Sequence, residues 1–249
     1  MLFTYEVNMK DYKIINEKYL ISDFLNEHGI KNIMSLKPID IKNNEKYFIN
    51  DLAEVLKQMQ IVYKSINVTR QTHSNNIAVV KGSGINFYNE TDGLIGTRGD
   101  VLVIKSADCL PVIIFDNSLK RIAAVHSGWK GTANSIVKDA IKKMLELGSN
   151  AAELSLYIGA HIQKESFEVK SDVKNIFQNK FSYEKIITQK DEEHYLIDLG
   201  KIVKFDAMSL GVEEKNIYIS KIDTVKDKRF HSYRRDRENY GLMYTLVCV

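Results

Sequence analysis

Cysteine is scarce in this chain. Cys109 and Cys248 are the only two in 249 residues, too few for a disulfide framework, so a reducing cytoplasm is the natural setting. Proline is as rare, with Pro38 and Pro111 alone, and no stretch is rich in Pro, Ser or Gly as linkers are. One domain over residues 1–249 is therefore expected. Long apolar runs are missing too. The longest, LPVIIFD, is far too short to span a bilayer. The N-terminal MLFTYEVNMKDYKII carries charge early and lacks the apolar core and cleavage site of a signal peptide. Nor is there a strong charge of one sign. A formal +3 suits small anions and makes no case for nucleic acid. There is no repeat, P-loop or dinucleotide fingerprint, because the glycines of GTRG and GSG are too sparse.

What is present reads as a layered α/β chain. A strand is expected over LFTYEV, and residues 45–60 place Ile49, Leu52, Leu56 and Met59 at helical spacing. VYKSINVTRQTH alternates weakly, which suits an exposed strand, and NIAVV is a short strand ending at KGSG. VLVIKS, PVIIFD and RIAAVH follow within 101–126, and continuous apolar runs of this length suit strands buried on both faces. A helix from about Thr132 to Leu147 has the apolar face Ile136, Val137, Ala140, Ile141, Met144 and Leu147, with Gly148 placed to end it. LSLYIG, NIYIS and MYTLVCV read as strands, and SDVKNIFQNK and LGKIVKFDAMSLG as helices. The fold class expected is α/β in layers, with mixed sheets sandwiched between helices.

Of six histidines, His28 sits by a helix C-terminus and His194 in a charged loop, and neither suggests chemistry. His73 in RQTHSNN and His126 in AVHSGW fall where strands give way to turn residues, and Cys109 in SADCLPV marks a third such break. Strand ends in α/β sheets are where ligands bind. Separations of 36 and 17 positions match no zinc finger, so the three can meet only through folding. If they meet, one thiolate and two imidazoles make the three-ligand set of an open catalytic zinc site, or a set suited to copper. Two other readings stand beside it: Cys109 as a small buried hydrophobe, or as a nucleophile with a histidine base. In FHSYRRDRENYG, Arg234, Arg235 and Arg237 stand next to Tyr233, and paired arginines suit bidentate capture of phosphate or carboxylate, or else form a solvated turn. Lys130 adds a cation at a helix start. Trp129 is either a stacking wall or core.

QTH at 71–73, TDGLI at 91–95, SADCLPV at 106–112, AVHSGWKGT at 124–132, YIGAHIQKESFEV at 157–169 and SYRRD at 232–236 occur in the order of one family. From about residue 60 onward the chain resembles the bacterial YfiH-like proteins, also called laccase-domain or multicopper polyphenol oxidase family proteins. The resemblance implies a metal, usually zinc, on His73, Cys109 and His126, with Cu2+ as the older attribution. It implies phosphorolysis of purine nucleosides (adenosine, inosine, methylthioadenosine) with adenosine deamination alongside, and copper-dependent phenol oxidation as the older label. Purine nucleoside and phosphate are then the partners, with no nucleic acid or membrane; oligomeric state is left open. Cys109, His126 and Asp108 are the catalytic candidates, and Lys130, Arg234 and Arg235 the phosphate anchors. Asp108 or Asp92 orients a ligand histidine or moves protons. A metal-free Cys–His hydrolase and a non-catalytic protein with a vestigial site are the competing readings. The chain departs from the family at Ala160–His161, where Pro-Cys is common, at Ser220, often cysteine, and in DLGKIVKFD, which lacks an Asn–Arg pair. Substrate preference is the property these departures touch.

Overall fold

Three apolar runs in residues 100–127 each form a strand: Asp100–Ser106, Leu110–Asp116 and Arg121–Ser127. Almost every residue in them is buried, as expected of strands covered on both faces. They do not share one sheet. The computed structural model describes residues 11–42 and 44–249 in full and the backbone alone of 6–9. In it the first run is β9 of an eight-stranded sheet, in the spatial order β1 (Glu6–Met9), β2 (Tyr12–Ile15), β3 (Tyr19–Ser22), β4 (Lys31–Ser35), β17 (Met243–Cys248), β9, β5 (Ser65–Arg70), β7 (Gly84–Asn89). The other two runs, β10 and β11, lie in a six-stranded sheet ordered β16 (Ile217–Ile219), β12 (Leu154–Ile158), β10, β11, β8 (Gly93–Thr97), β6 (Ile77–Val79). A small third sheet joins β13 (Glu168–Val169), β15 (Tyr195–Ile197) and β14 (Ile187–Gln189).

The two large sheets pack face to face through Leu102, Ile104 and Val247 of one and Ile113, Phe115 and Ile122 of the other. Helix α1 (Asp23–Glu27) adds Leu25 to that layer. On the outer face of the first sheet lies α2 (Glu45–Gln58), which buries Phe48, Leu52, Val55 and Leu56 against Val101, Val103 and Leu246. The second sheet is covered by α4 (Ile136–Glu146) and α6 (Leu199–Met208), with α5 (Ser171–Lys180) adding Phe177. The expected layering of mixed sheets between helices is what forms. No described helix is long and apolar enough to cross a membrane.

Three local expectations need correction or placement. The helix expected over 132–147 is two helices: α3 (Trp129–Ala133) and α4, separated where Ser135 takes a φ of 57°. The left-handed residue re-aims the chain, so α3 follows the site while α4 follows the core. The strand around 62–73 is not exposed: β5 runs parallel between β9 and β7 and is buried through Thr69. Its polar residues misled because they satisfy one another. Ser65 donates to Asp100 at 2.7 Å, Asn67 to Ser65 at 2.7 Å, and Thr69 to Gln71 at 2.8 Å. The strand expected at 2–7 lies outside the described residues except at Glu6 and Val7, which open β1.

Leu102 is fully buried between the sheets and faces away from the strand ends. Leu102→Ala is expected to lower unfolding free energy by about 2–5 kcal/mol, measured by chemical denaturation. An unchanged midpoint would contradict a shared two-sheet core.

Candidate metal centre and cavity

Two of the three ligand candidates, His73 and Cys109, lie where the chain crosses from one large sheet to the other, and His126 is the next-to-last residue of β11. β5 and β9 run parallel in the register Val68↔Val103, so their C-terminal ends emerge together. The segment after β5 carries His73, and the segment from β9 to β10 carries Cys109. β10 and β11 are antiparallel, with Leu110 opposite Ser127 and Pro111 opposite His126. That register sets the start of one strand, beside Cys109, against the end of the other. His73 Nε2 is 3.8 Å from Cys109 Sγ, and one donor atom from each of His73, Cys109 and His126 lies within 4.8 Å of the others. A tetrahedral zinc with about 2.0–2.1 Å to nitrogen and about 2.3 Å to sulfur sets its donors roughly 3.5 Å apart. The spacing and the donor chemistry both fit such an ion.

Gly128 is what lets them converge. A Cβ there would stand 2.6 Å from His73 Cδ2 and 3.1 Å from Cys109 Sγ. The glycine is required for space, since its φ of −69° is open to any residue.

Asp92 orients the set. It is fully buried, and its carboxylate accepts from His126 Nδ1 at 2.8 Å and from the backbone amides of Thr72, His73 and Ser74 at 3.1, 3.1 and 2.8 Å. The Ser74 hydroxyl adds a contact at 2.8 Å, and the Asp92 carbonyl accepts the His126 amide at 2.7 Å. With Nδ1 held as the donor, His126 is left with Nε2 for a metal. The same amides hold His73 in a left-handed turn, φ 59°. Burial works against the Asp92 charge, but hydrogen bonds from His126, Ser74 and Thr72 outweigh it and hold its carboxyl down at about 2. Burial likewise opposes ionisation of Cys109, yet His126 and His73 bring its thiol down; Cys109 and Asp92 in turn raise His126 against its own burial. The thiolate so favoured is the form that binds metal.

Asp108 does something different. Also in the left-handed region, at φ 79°, it accepts from Thr224 Oγ1 at 2.6 Å, Ser232 Oγ at 3.0 Å and the Arg234 amide at 2.6 Å. Burial raises its carboxyl, with these three donors opposing. It ties the 224–234 segment, including the start of α7 (Tyr233–Asp236), against the site. Of the two aspartates left open by the sequence, Asp92 is the one on a ligand histidine.

The donors form part of the wall of a cavity of about 1110 Å³. Lys130 and Arg234, both expected, line it, as do Trp129 and Phe167. Arg234 sits over the Phe167 ring at 5.5 Å and donates to the carbonyls of Ser166 and Glu168. Trp129 is partly buried against the core and also lines the cavity. Arg235 is corrected. It is absent from the wall, its guanidinium gripping Asp236 at 2.7 Å and the carbonyls of Thr224, Val225 and Phe230. Arg237 of the same tail motif lines the cavity instead, and sequence reasoning missed Arg70 and Lys105, which line it too. The signal for these two was positional: Arg70 lies three residues before His73 and Lys105 four before Cys109. His161 is buried away from the wall, its Nδ1 donating to Gly159 O at 2.7 Å, and Gln163 bridges it to the Ser220 carbonyl. Two of the three departures from the family pattern, at His161 and Ser220, thus meet in one hydrogen-bonded cluster.

Comparison with known proteins follows the same lines. The profile of a family described as multi-copper polyphenol oxidoreductase laccase matches residues 23–249, further toward the N-terminus than the six motifs reach. A purine nucleoside phosphorylase of Clostridium acetobutylicum is 32% identical over 186 residues, covering 74% of this chain and 77% of that protein. One from Borreliella burgdorferi is 31% identical over 237 residues, covering 92% and 98%. Among solved structures, the hypothetical protein YfiH of Bacillus licheniformis superimposes with a TM-score of 0.85 at 20% identity, over 97% of this chain and all of that one. The last is a likeness of fold.

Two substitutions probe the centre. Asp92→Ala removes the acceptor on His126 and should weaken zinc binding about 10–100-fold. Gly128→Ala should weaken it comparably by pushing His73 and Cys109 apart. Competition with a chromophoric chelator reads both, and wild-type affinity in either would refute the convergence described.

Proposed function

Since the chain belongs to the multi-copper polyphenol oxidoreductase laccase family, we propose that it is a zinc-dependent purine nucleoside phosphorylase, the activity named for relatives at 26–34% identity. The observation that carries this reading is that the His73–Cys109–His126 set shares one cavity with several cations and with the side chains of Trp129 and Phe167. Phosphorolysis needs both features. An oxygen of phosphate bonds to C1′ of the ribose, the C1′–N bond breaks with its electron pair leaving on the purine, and the base departs as it gains a proton. The chain must hold a dianion against the sugar and keep the base between apolar walls. Arg234 and Lys130 supply positive charge on the wall, and Trp129 and Phe167 supply aromatic side chains to it. Asp108 acts by positioning, holding the Arg234 backbone and Ser232. His73, Cys109 and His126 would hold the zinc, which when bound supplies Lewis acidity toward a substrate oxygen. A thiolate donor moderates that acidity, so adenosine deamination is the weaker expected activity. The soft two-histidine, one-cysteine set also suits copper, and a second reading is oxidation of phenols after copper loading.

The test is release of free base from adenosine, inosine and methylthioadenosine, with and without phosphate, alongside metal analysis. Phosphate-dependent release is expected in wild type, falling by about 10²-fold or more in His126→Ala, the scale of losing one electrostatic stabiliser. No base from any of the three in zinc-loaded protein would overturn the reading. A thiolate-to-copper absorption band together with phenol oxidation would favour the second.

A further inference from the structure

Lys105 is the one lysine in the cavity wall that burial works against. It is half-buried, and among the described residues no carboxylate comes within ion-pair distance of its Nζ and no hydrogen bond ends there. Extending the parallel register Val68↔Val103 by two residues sets it beside Arg70. The side chain of Gln71 fixes that arrangement, donating to the Lys105 carbonyl at 2.6 Å and accepting its amide at 2.8 Å. Two cations therefore stand together at the ends of neighbouring strands. Among the described residues, the counter-charge that acts on Lys105 is Glu45, at the start of α2, which lies 3.5 Å from Arg70. Burial and the Arg70 charge both act against protonated Lys105, and Glu45 compensates in part. A dianion between the two side chains would relieve both.

The other cavity cations are differently occupied. Arg234 is held by two backbone carbonyls, and Lys130 is exposed with its ammonium 5.7 Å from the Trp129 ring. Arg237 is exposed and held at a φ of 50°. Lys105 alone combines partial burial, a cavity-facing position and no partner. Arg70 and His73 are three positions apart in sequence, so their Cα atoms lie no more than about 11 Å apart. That keeps the cation pair within one small molecule's reach of the metal donors.

We propose that Lys105 and Arg70 form the phosphate subsite of this cavity, with Lys105 the principal cation. The inference rests on the phosphorylase reading for the identity of the anion as the inorganic phosphate co-substrate. Lys105 donates to phosphate oxygens as the buried partner, and Arg70 closes the subsite from the exposed side. Thr72 and Asn89, on the same wall, are the neutral donors available to the remaining oxygens.

The test uses zinc-loaded protein with Lys105→Met, which keeps the volume of the stem, and Lys105→Arg, which keeps the charge. Lys105→Met should raise the KM for inorganic phosphate about tenfold or more, the scale of one charge-assisted hydrogen bond. The KM for nucleoside and the zinc content should stay within about twofold, and Lys105→Arg should recover most of the loss. Calorimetric titration with inorganic phosphate reads the same subsite without turnover, and circular dichroism checks the fold. If wild type binds phosphate and Lys105→Met does not, while neither releases base, the subsite stands and the phosphorylase reading fails. If base is released and Lys105→Met has the wild-type KM and affinity for phosphate, the subsite is overturned and the reading survives. Equal losses for phosphate and nucleoside would also overturn it, as would a Lys105→Arg variant no better than Lys105→Met.

Discussion

A carboxylate taken out of water costs several kcal/mol unless its oxygens are fully engaged, and Asp92 has no exposed surface at all. Its two oxygens receive three consecutive backbone amides, a hydroxyl and an imidazole N–H. Each donor comes from a segment that would otherwise be free to move. The 72–74 turn is a loop between sheets, and the His126 ring comes from the next-to-last residue of a strand. One charge therefore fixes both the backbone under one candidate ligand and the ring of the other. Removing it leaves three amides without acceptors as well as a histidine without a defined tautomer. The site's geometry depends on that single group more than on the ligands themselves.

Asp108 repeats the device one strand away with a different outcome. Its donors are Thr224, Ser232 and the Arg234 amide, so it fastens a distant part of the sequence across the mouth of the cavity. Arg234 then faces inward, while Arg235, the next residue, turns to Asp236 and a row of carbonyls. Adjacent arginines with the same chemistry thus divide into one cavity residue and one structural clamp. The helical geometry of α7, capped by Ser232, decides between them.

How much of this was legible in the sequence depended on the range of the forces involved. The strands of 101–126 and the apolar face of α4 were readable because continuous burial and helical periodicity are local patterns. The break at Ser135 was not, since it answers to the need for α3 and α4 to pack on different neighbours. β5 was misplaced at the surface because Ser65, Asn67 and Thr69 look solvent-facing until their partners at Asp100 and Gln71 are known. Spacing left the His73–Cys109–His126 set open, and the motifs of the family resemblance supplied it. Lys105 and Arg70 escaped notice for a physical reason: they come together only through a parallel pairing, which no local pattern announces.

The strand β17 lies in the interior of the eight-stranded sheet, between β4 and β9. Its neighbours are made long before it during synthesis: β4 ends at Ser35 and β9 at Ser106. Until residues 243–248 emerge from the ribosome, a gap one strand wide separates the two halves, and each presents an open edge of unpaired amides and carbonyls. At roughly 5–20 residues per second, those edges stay bare for several seconds in every nascent chain. The architecture thus defers closure of its first layer to a strand made well over a hundred residues after the nearer of its two neighbours.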